Sequence, residues 1–121
     1  MIKDRLFSLP NEIENKKVKI LNEREELEND REKLKLWEID KIESINDAVD
    51  DNGKALYSND TKRKIALENM KLEDNDYLEL SEKLQSRTYH VARLEIQLDK
   101  LYNEQSNLRA ICRLEGGANE Y

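Results

Sequence analysis

From Tyr77 to Cys112 the chain reads YLELSEKLQSRTYHVARLEIQLDKLYNEQSNLRAIC. Alternating steps of three and four residues land on Tyr77, Leu80, Leu84, Arg87, Val91, Leu94, Leu98, Leu101, Gln105, Leu108 and Cys112. Nine of these eleven positions are apolar or nearly so, which is the pattern of a helix that lays one narrow stripe against another helix. Arg87 and Gln105 interrupt the stripe, and polar residues at such positions fix register or partner choice at some loss of stability. The pattern predicts a long coiled-coil helix over 76–115, stopped by Gly116-Gly117, with a tail at 116–121. Leu84, Val91, Leu94, Leu98, Leu101 and Leu108 are the expected oligomer or partner seam.

Upstream, Leu6, Ile13, Ile20, Leu27 and Leu34 stand seven residues apart, a strict heptad row that keeps one stripe facing a partner. The companion positions are Leu9, Lys16, Glu23, Asp30 and Trp37, three of them charged, so this helix alone makes a weak seam. Ser8 reads as the N-cap and Pro10 as a first-turn residue, where its missing N–H does no harm. A first long helix is therefore expected over about 10–49, after one short turn within Met1–Phe7. From Ile39 the apolar spacing slips through Ile42, Ile45 and Val49, which should rotate the buried face.

The two long helices are separated by turn-forming residues. Asp51-Asn52-Gly53 places Asn-Gly where both residues can take positive φ, so 50–58 is expected to be a turn or small hairpin. Ser58 is the cap candidate for a short helix over 59–73 carrying Ile65, Ala66, Met70 and Leu72. Glu73-Asp74-Asn75-Asp76 either breaks that helix or forms its weakest turn. The expected fold is all-α and a single domain over 1–121. In it an antiparallel coiled-coil hairpin carries a short helix near the bend and assembles into a multi-helix bundle.

Composition agrees with this reading. Of 121 residues, 40% are charged, and the chain has one proline and three glycines, too few turn formers for a β-sandwich. A net charge of −6 with interspersed signs describes solvated helix faces rather than a polyanion-binding surface. Apolar runs reach only two or three residues, so no membrane span is expected. The segment from Met1 to Arg5 lacks the apolar core of a signal peptide. With Cys112 as the lone cysteine, a cytoplasmic setting is expected.

Chemistry-bearing residues are few. His90 and Cys112 lie 22 positions apart on one predicted helix (112 minus 90), about 33 Å along its axis, so they cannot form a nucleophile–base pair. His90 reads as a seam-edge residue and Cys112 as a small hydrophobe. The carboxylates Glu23, Glu25, Glu26, Glu28, Asp30 and Glu32 alternate with Arg24 and Arg31 and read as a solvated face. There is no glycine-rich phosphate loop and no paired-cysteine zinc motif. The expectation is therefore no enzyme, no cofactor and no metal.

One locally basic stretch stands out. Lys54, Tyr57, Lys62, Arg63 and Lys64 cluster at the expected bend, and a basic tip with an aromatic residue can track a nucleic-acid backbone and stack a base. The bland alternative is that the lysines and arginine solvate a helix start.

The middle of the chain also resembles a known group. Asn52-Gly53-Lys54, Tyr57-Ser58-Asn59 and Lys62-Arg63, followed by an acidic break and a coiled coil led by Tyr77, resemble small uncharacterised coiled-coil proteins of phages and prophages of Gram-positive bacteria. The likeness covers roughly residues 48–112. It departs at Thr61, where those proteins carry an acidic residue that completes a capping box. The resemblance implies a phage early-gene setting near replication or recombination genes, in the host cytoplasm, with no enzymatic activity.

Three functional readings follow. The first is a structural or interaction protein that self-associates, as a dimer or higher, or binds another protein through its seams. The second is a nucleic-acid-binding accessory factor in replication or recombination using the 54–71 tip. The third is an inhibitor of a host protein.

Overall fold

A computed structural model describes residues 1–119, and they form an all-α fold of three helices: α1 (Ile2–Asp47), α2 (Asp60–Glu73) and α3 (Asn75–Asn119). No named strand occurs among the described residues, only an isolated antiparallel bridge between Val49 and Ala55. No helix among them is long and apolar enough to cross a membrane. The chain divides into two compact units, residues 1–25 with 88 onward, and residues 26–87.

In the first unit, Leu9, Ile13 and Ile20 of α1 and Val91 and Leu94 of α3 are buried. Each such side chain contributes about 1.5–3 kcal/mol by leaving water. Polar contacts between the segments run in opposite directions along the chain. Arg5 grips Glu104 with two hydrogen bonds, at 2.5 and 2.9 Å. The Lys16 ammonium donates to Gln97 at 2.9 Å, and Arg24 donates to Glu95.

The N-terminus differs from the sequence expectation. Helix α1 begins at Ile2 and carries Pro10 inside it, so Ser8 is not a cap; its hydroxyl donates to the Arg5 carbonyl at 3.0 Å. An internal proline removes one backbone bond and typically costs about 3 kcal/mol. Fully buried Leu9 and the Arg5 contacts to Glu104 and Glu12 offset that penalty. At the other end α3 continues through Gly116 and Gly117 to Asn119. A glycine stop needs a left-handed residue, and among the described residues only Gly53 has positive φ. Of the expected tail, residues 120–121 lie outside the described ones.

In the second unit the buried residues are Leu27, Asp30, Ile45 and Ala66. The 48–59 connection closes as a turn in which the Gly53 N–H donates to the Asp50 carbonyl at 3.0 Å. Only Gly53 is left-handed, at φ 78°; Asn52 is not, contrary to the paired positive φ expected. A carboxylate explains the difference: Asp50 Oδ1 accepts from the N–H of Asn52 at 2.8 Å and of Lys54 at 3.0 Å. That fold-back of an aspartate onto its own backbone stabilises the turn without a second left-handed residue.

The short helix starts one residue later than expected. Asn59, not Ser58, is the N-cap, with its side-chain oxygen accepting from the Lys62 N–H at 2.8 Å. Its far end is a real break. Asp74 adopts an extended conformation, φ −93° and ψ 110°, and is the sole residue between α2 and α3.

Candidate interaction surface

The second unit holds the most developed side-chain constellation, centred on that break. The Asp74 carboxylate accepts from the Tyr77 N–H at 2.9 Å and, through its other oxygen, from the Trp37 indole N–H at 3.0 Å. It thereby caps the start of α3 and ties it to α1. Trp37 and Tyr77 meet with ring centroids 4.5 Å apart and a tilt of 41°, a favoured aromatic geometry. Lys41 lies over the Trp37 ring and Lys71 over that of Tyr77, at 5.7 and 5.6 Å. Lys71 also pairs with Glu38 at 2.9 Å, and that contact raises its pKa. Trp37 and Tyr77 therefore pack against each other within the chain, and both are half-buried.

These contacts set an acid response. Asp74 titrates below the ordinary carboxylate value of 3.8, first because the Tyr77 N–H bonds its charged form and then because the Trp37 indole does. Glu104 is depressed likewise by the Arg5 guanidinium. A carboxyl with a lowered folded pKa stabilises the fold above its unfolded pKa, and that stability is lost as pH falls through the folded value. Urea midpoints should hold steady from pH 7 to 5 and fall below about pH 4. In Asp74→Ala the midpoint at pH 7 should be lower and the acid drop shallower, with Trp37 fluorescence shifted toward that of exposed indole. An unchanged acid limb in that variant would remove Asp74 from this role.

A second constellation joins Arg87, one of the two interruptions of the α3 stripe, to a charged companion position of α1. Arg87 Nε donates to Asp30 Oδ2 at 3.0 Å, with Asp30 only 1% exposed. In the sequence, Arg87 and the charged companion row of α1 stand on separate helices with nothing to link them. Pairing them requires the register between the helices, which neither helix contains alone.

The expected seam residues fall in two classes. Val91 and Leu94 are buried, whereas Leu84, Leu98, Leu101 and Leu108 are half-buried. The basic tip is partly occupied. Arg63 donates to the Tyr57 carbonyl at 3.2 Å and pairs with Asp60 at 2.9 Å. The Lys62 ammonium reaches the Ser58 hydroxyl at 3.3 Å. Lys54 and Lys64 are exposed, and Tyr57 is half-buried. His90 is exposed and Cys112 half-buried on the same continuous helix, so the two do not meet. In the carboxylate-rich stretch, Glu25, Glu26, Glu28 and Glu32 are exposed, and Glu28 pairs with Arg31. No cluster of three or more His, Cys, Asp or Glu among the described residues is placed to hold a metal ion.

No known protein family, curated protein or solved structure matches the chain. The surface must therefore be read from its own chemistry. Val49, Leu56, Ile65 and Leu72, all between residues 48 and 73, are 50–71% exposed. Leu56 and Ile65 line a groove of about 630 Å³ on α2, together with Tyr57, Ala66, Asn69 and Met70. Grooves of apolar floor and polar rim are where protein partners dock.

Proposed function

We propose that the chain is a non-enzymatic interaction protein, an antiparallel coiled-coil hairpin whose seams close on each other and whose bend, residues 48–73, meets a protein partner. The observation that carries this reading is the contrast in burial. Val91 and Leu94 on the strongest heptad row are 7% and 2% exposed, while Leu56, Ile65 and Leu72 near the bend are at least half exposed. The most deeply buried positions of the stripe, Val91 and Leu94, are covered by the chain itself, whereas the bend brings several exposed apolar side chains together along one short segment.

The opposed direction of the polar contacts in the first unit supports the antiparallel hairpin. So does the descending order of Arg87–Asp30, Tyr77–Trp37 and Lys71–Glu38 in the second. The resemblance across 48–112 supports a phage-encoded accessory protein acting in a host cytoplasm. Against nucleic acid stands Arg63, whose guanidinium is held by Asp60 and a backbone carbonyl.

Titration against labelled single- and double-stranded DNA at low salt tests the choice. The expected result is no binding. Binding that weakens steeply with salt, and that charge reversal at Lys62, Arg63 and Lys64 abolishes, would replace this reading with the nucleic-acid one.

A further inference from the structure

We propose that Asn52 is a self-modifying residue, cyclising onto the Gly53 nitrogen and opening to aspartate or isoaspartate, and that Asp50 sets the pace by holding the turn shut. The site is independent of what the bend meets, because it needs only the chain and water.

The chemistry starts from the pair itself. An asparagine side chain places its amide carbon within five-membered-ring reach of the next residue's backbone nitrogen. Glycine, with no side chain, obstructs that approach least. Asn52 and Gly53 are both exposed. Apart from chain neighbours, no atom lies within 4 Å of the place where a Gly53 Cβ would stand. No hydrogen bond among the described residues engages the Asn52 side-chain amide, whereas its backbone N–H is held by Asp50.

Loss of the Gly53 amide proton to hydroxide frees the nitrogen to attack Asn52 Cγ. A bond forms between that nitrogen and Cγ, the bond from Cγ to Nδ2 breaks, and Nδ2 leaves as ammonia with a proton from water. The cyclic imide then adds water at either carbonyl. One opening gives aspartate; the other gives isoaspartate, in which the main chain runs through the side-chain carbon. Nothing is oxidised or reduced, and water is the only co-reactant.

In the closed turn the attacking nitrogen is occupied. The Gly53 N–H donates to the Asp50 carbonyl at 3.0 Å, and Asp50 Oδ1 accepts from Asn52 at 2.8 Å and from Lys54 at 3.0 Å. One aspartate thus engages three successive N–H groups, and bonds to a charged carboxylate are the stronger kind. Cyclisation requires the Gly53 nitrogen released and Cγ swung onto it, so it proceeds from the opened turn. Isoaspartate then adds a main-chain atom inside the closing bonds, Asp50 N–H to the Lys54 carbonyl at 2.8 Å and Leu56 N–H to the Ala48 carbonyl at 2.9 Å. These must re-form around a longer loop, which shifts the course of Leu56 and Tyr57 and sets a new negative charge beside Lys54.

The test incubates the full chain at neutral and mildly alkaline pH. It follows intact mass, released ammonia and methyl transfer by an isoaspartyl methyltransferase, with peptide mapping to place the product. Product should form at residue 52, faster as pH rises, and at least about tenfold slower than in the same chain unfolded in guanidinium chloride. Asp50→Ala should speed it at least about threefold with helical circular dichroism unchanged. Asp50→Asn, which keeps an accepting oxygen without the charge, should fall between that variant and wild type. Asn52→Gln, whose ring would be one atom larger, should give no product at 52. A folded chain that forms no product at residue 52 would overturn the site. Equal rates in folded and unfolded chain, or a rate unchanged in Asp50→Ala, would overturn the role of Asp50.

Discussion

Replacing Arg87 by alanine is expected to lower the unfolding free energy by about 3–5 kcal/mol, the usual penalty for stripping one partner from a buried ion pair. Asp30 carries the argument. It is 1% exposed, beside the apolar row of Leu27 and Leu34 on α1, and its oxygen accepts from Arg87 at 3.0 Å. Without the guanidinium, its charge would be left in a poorly solvated site. The pair itself need not be a net source of stability, because desolvating two ions consumes most of their attraction. Hence the double variant Asp30→Leu with Arg87→Met should unfold within about 1 kcal/mol of wild type, or above it. Urea unfolding of the two singles and the double completes the cycle. A loss under about 1 kcal/mol in Arg87→Ala would mean that Asp30 is solvated or held by other groups. If the double variant also begins to form mixed oligomers, the pair serves register rather than stability.

Truncating Leu94 should have an effect of similar size. Its side chain is 2% exposed, and removing a buried leucine to alanine leaves a cavity that costs about 2–5 kcal/mol. Leu94→Asp adds an unpaired charge in the same place and should leave the helix pair largely unfolded at room temperature. Ile96, two residues on and 57% exposed, is the control. Ile96→Asp should stay within about 0.5 kcal/mol of wild type. Far-UV circular dichroism melts of the three variants decide the matter. Equal melting of Leu94→Asp and Ile96→Asp would contradict the assignment of the seam.

Much of the helical content was legible because heptad spacing is a property of each helix by itself. Of the positions that periodicity picks out, Ile13, Ile20, Leu27, Val91 and Leu94 are buried, while Leu6, Leu34, Leu84, Leu98, Leu101 and Leu108 are half-buried. What periodicity cannot supply is the relation between helices. Lys16, Glu23 and Asp30 looked like defects in a seam, yet Lys16 meets Gln97 and Asp30 meets Arg87. The defects of one helix are matched by polar residues of the other, and only the register reveals it. Cap chemistry misled where tertiary contacts outweigh local preference. Ser8 and Pro10 are sound start signals, but buried Leu9 and the clamp from Arg5 to Glu104 extend α1 through them. Asp74 was hidden for another reason. Among Glu73, Asp74, Asn75 and Asp76, nothing local marks the residue that will accept both a backbone N–H and an indole. The groove on α2 was partly visible as Ile65, Ala66 and Met70, but its other wall, Leu56 and Tyr57, depends on the course of the connection.

On the proposed reading the long seams close within one chain and leave the bend for contact. The most direct test is the melting temperature of the full chain, measured over about a thousandfold range of concentration. Unfolding of a self-contained chain is unimolecular, so the account predicts a midpoint that does not move with concentration. A midpoint that climbs steadily with concentration would show that the seams are completed by other molecules, and would contradict the account.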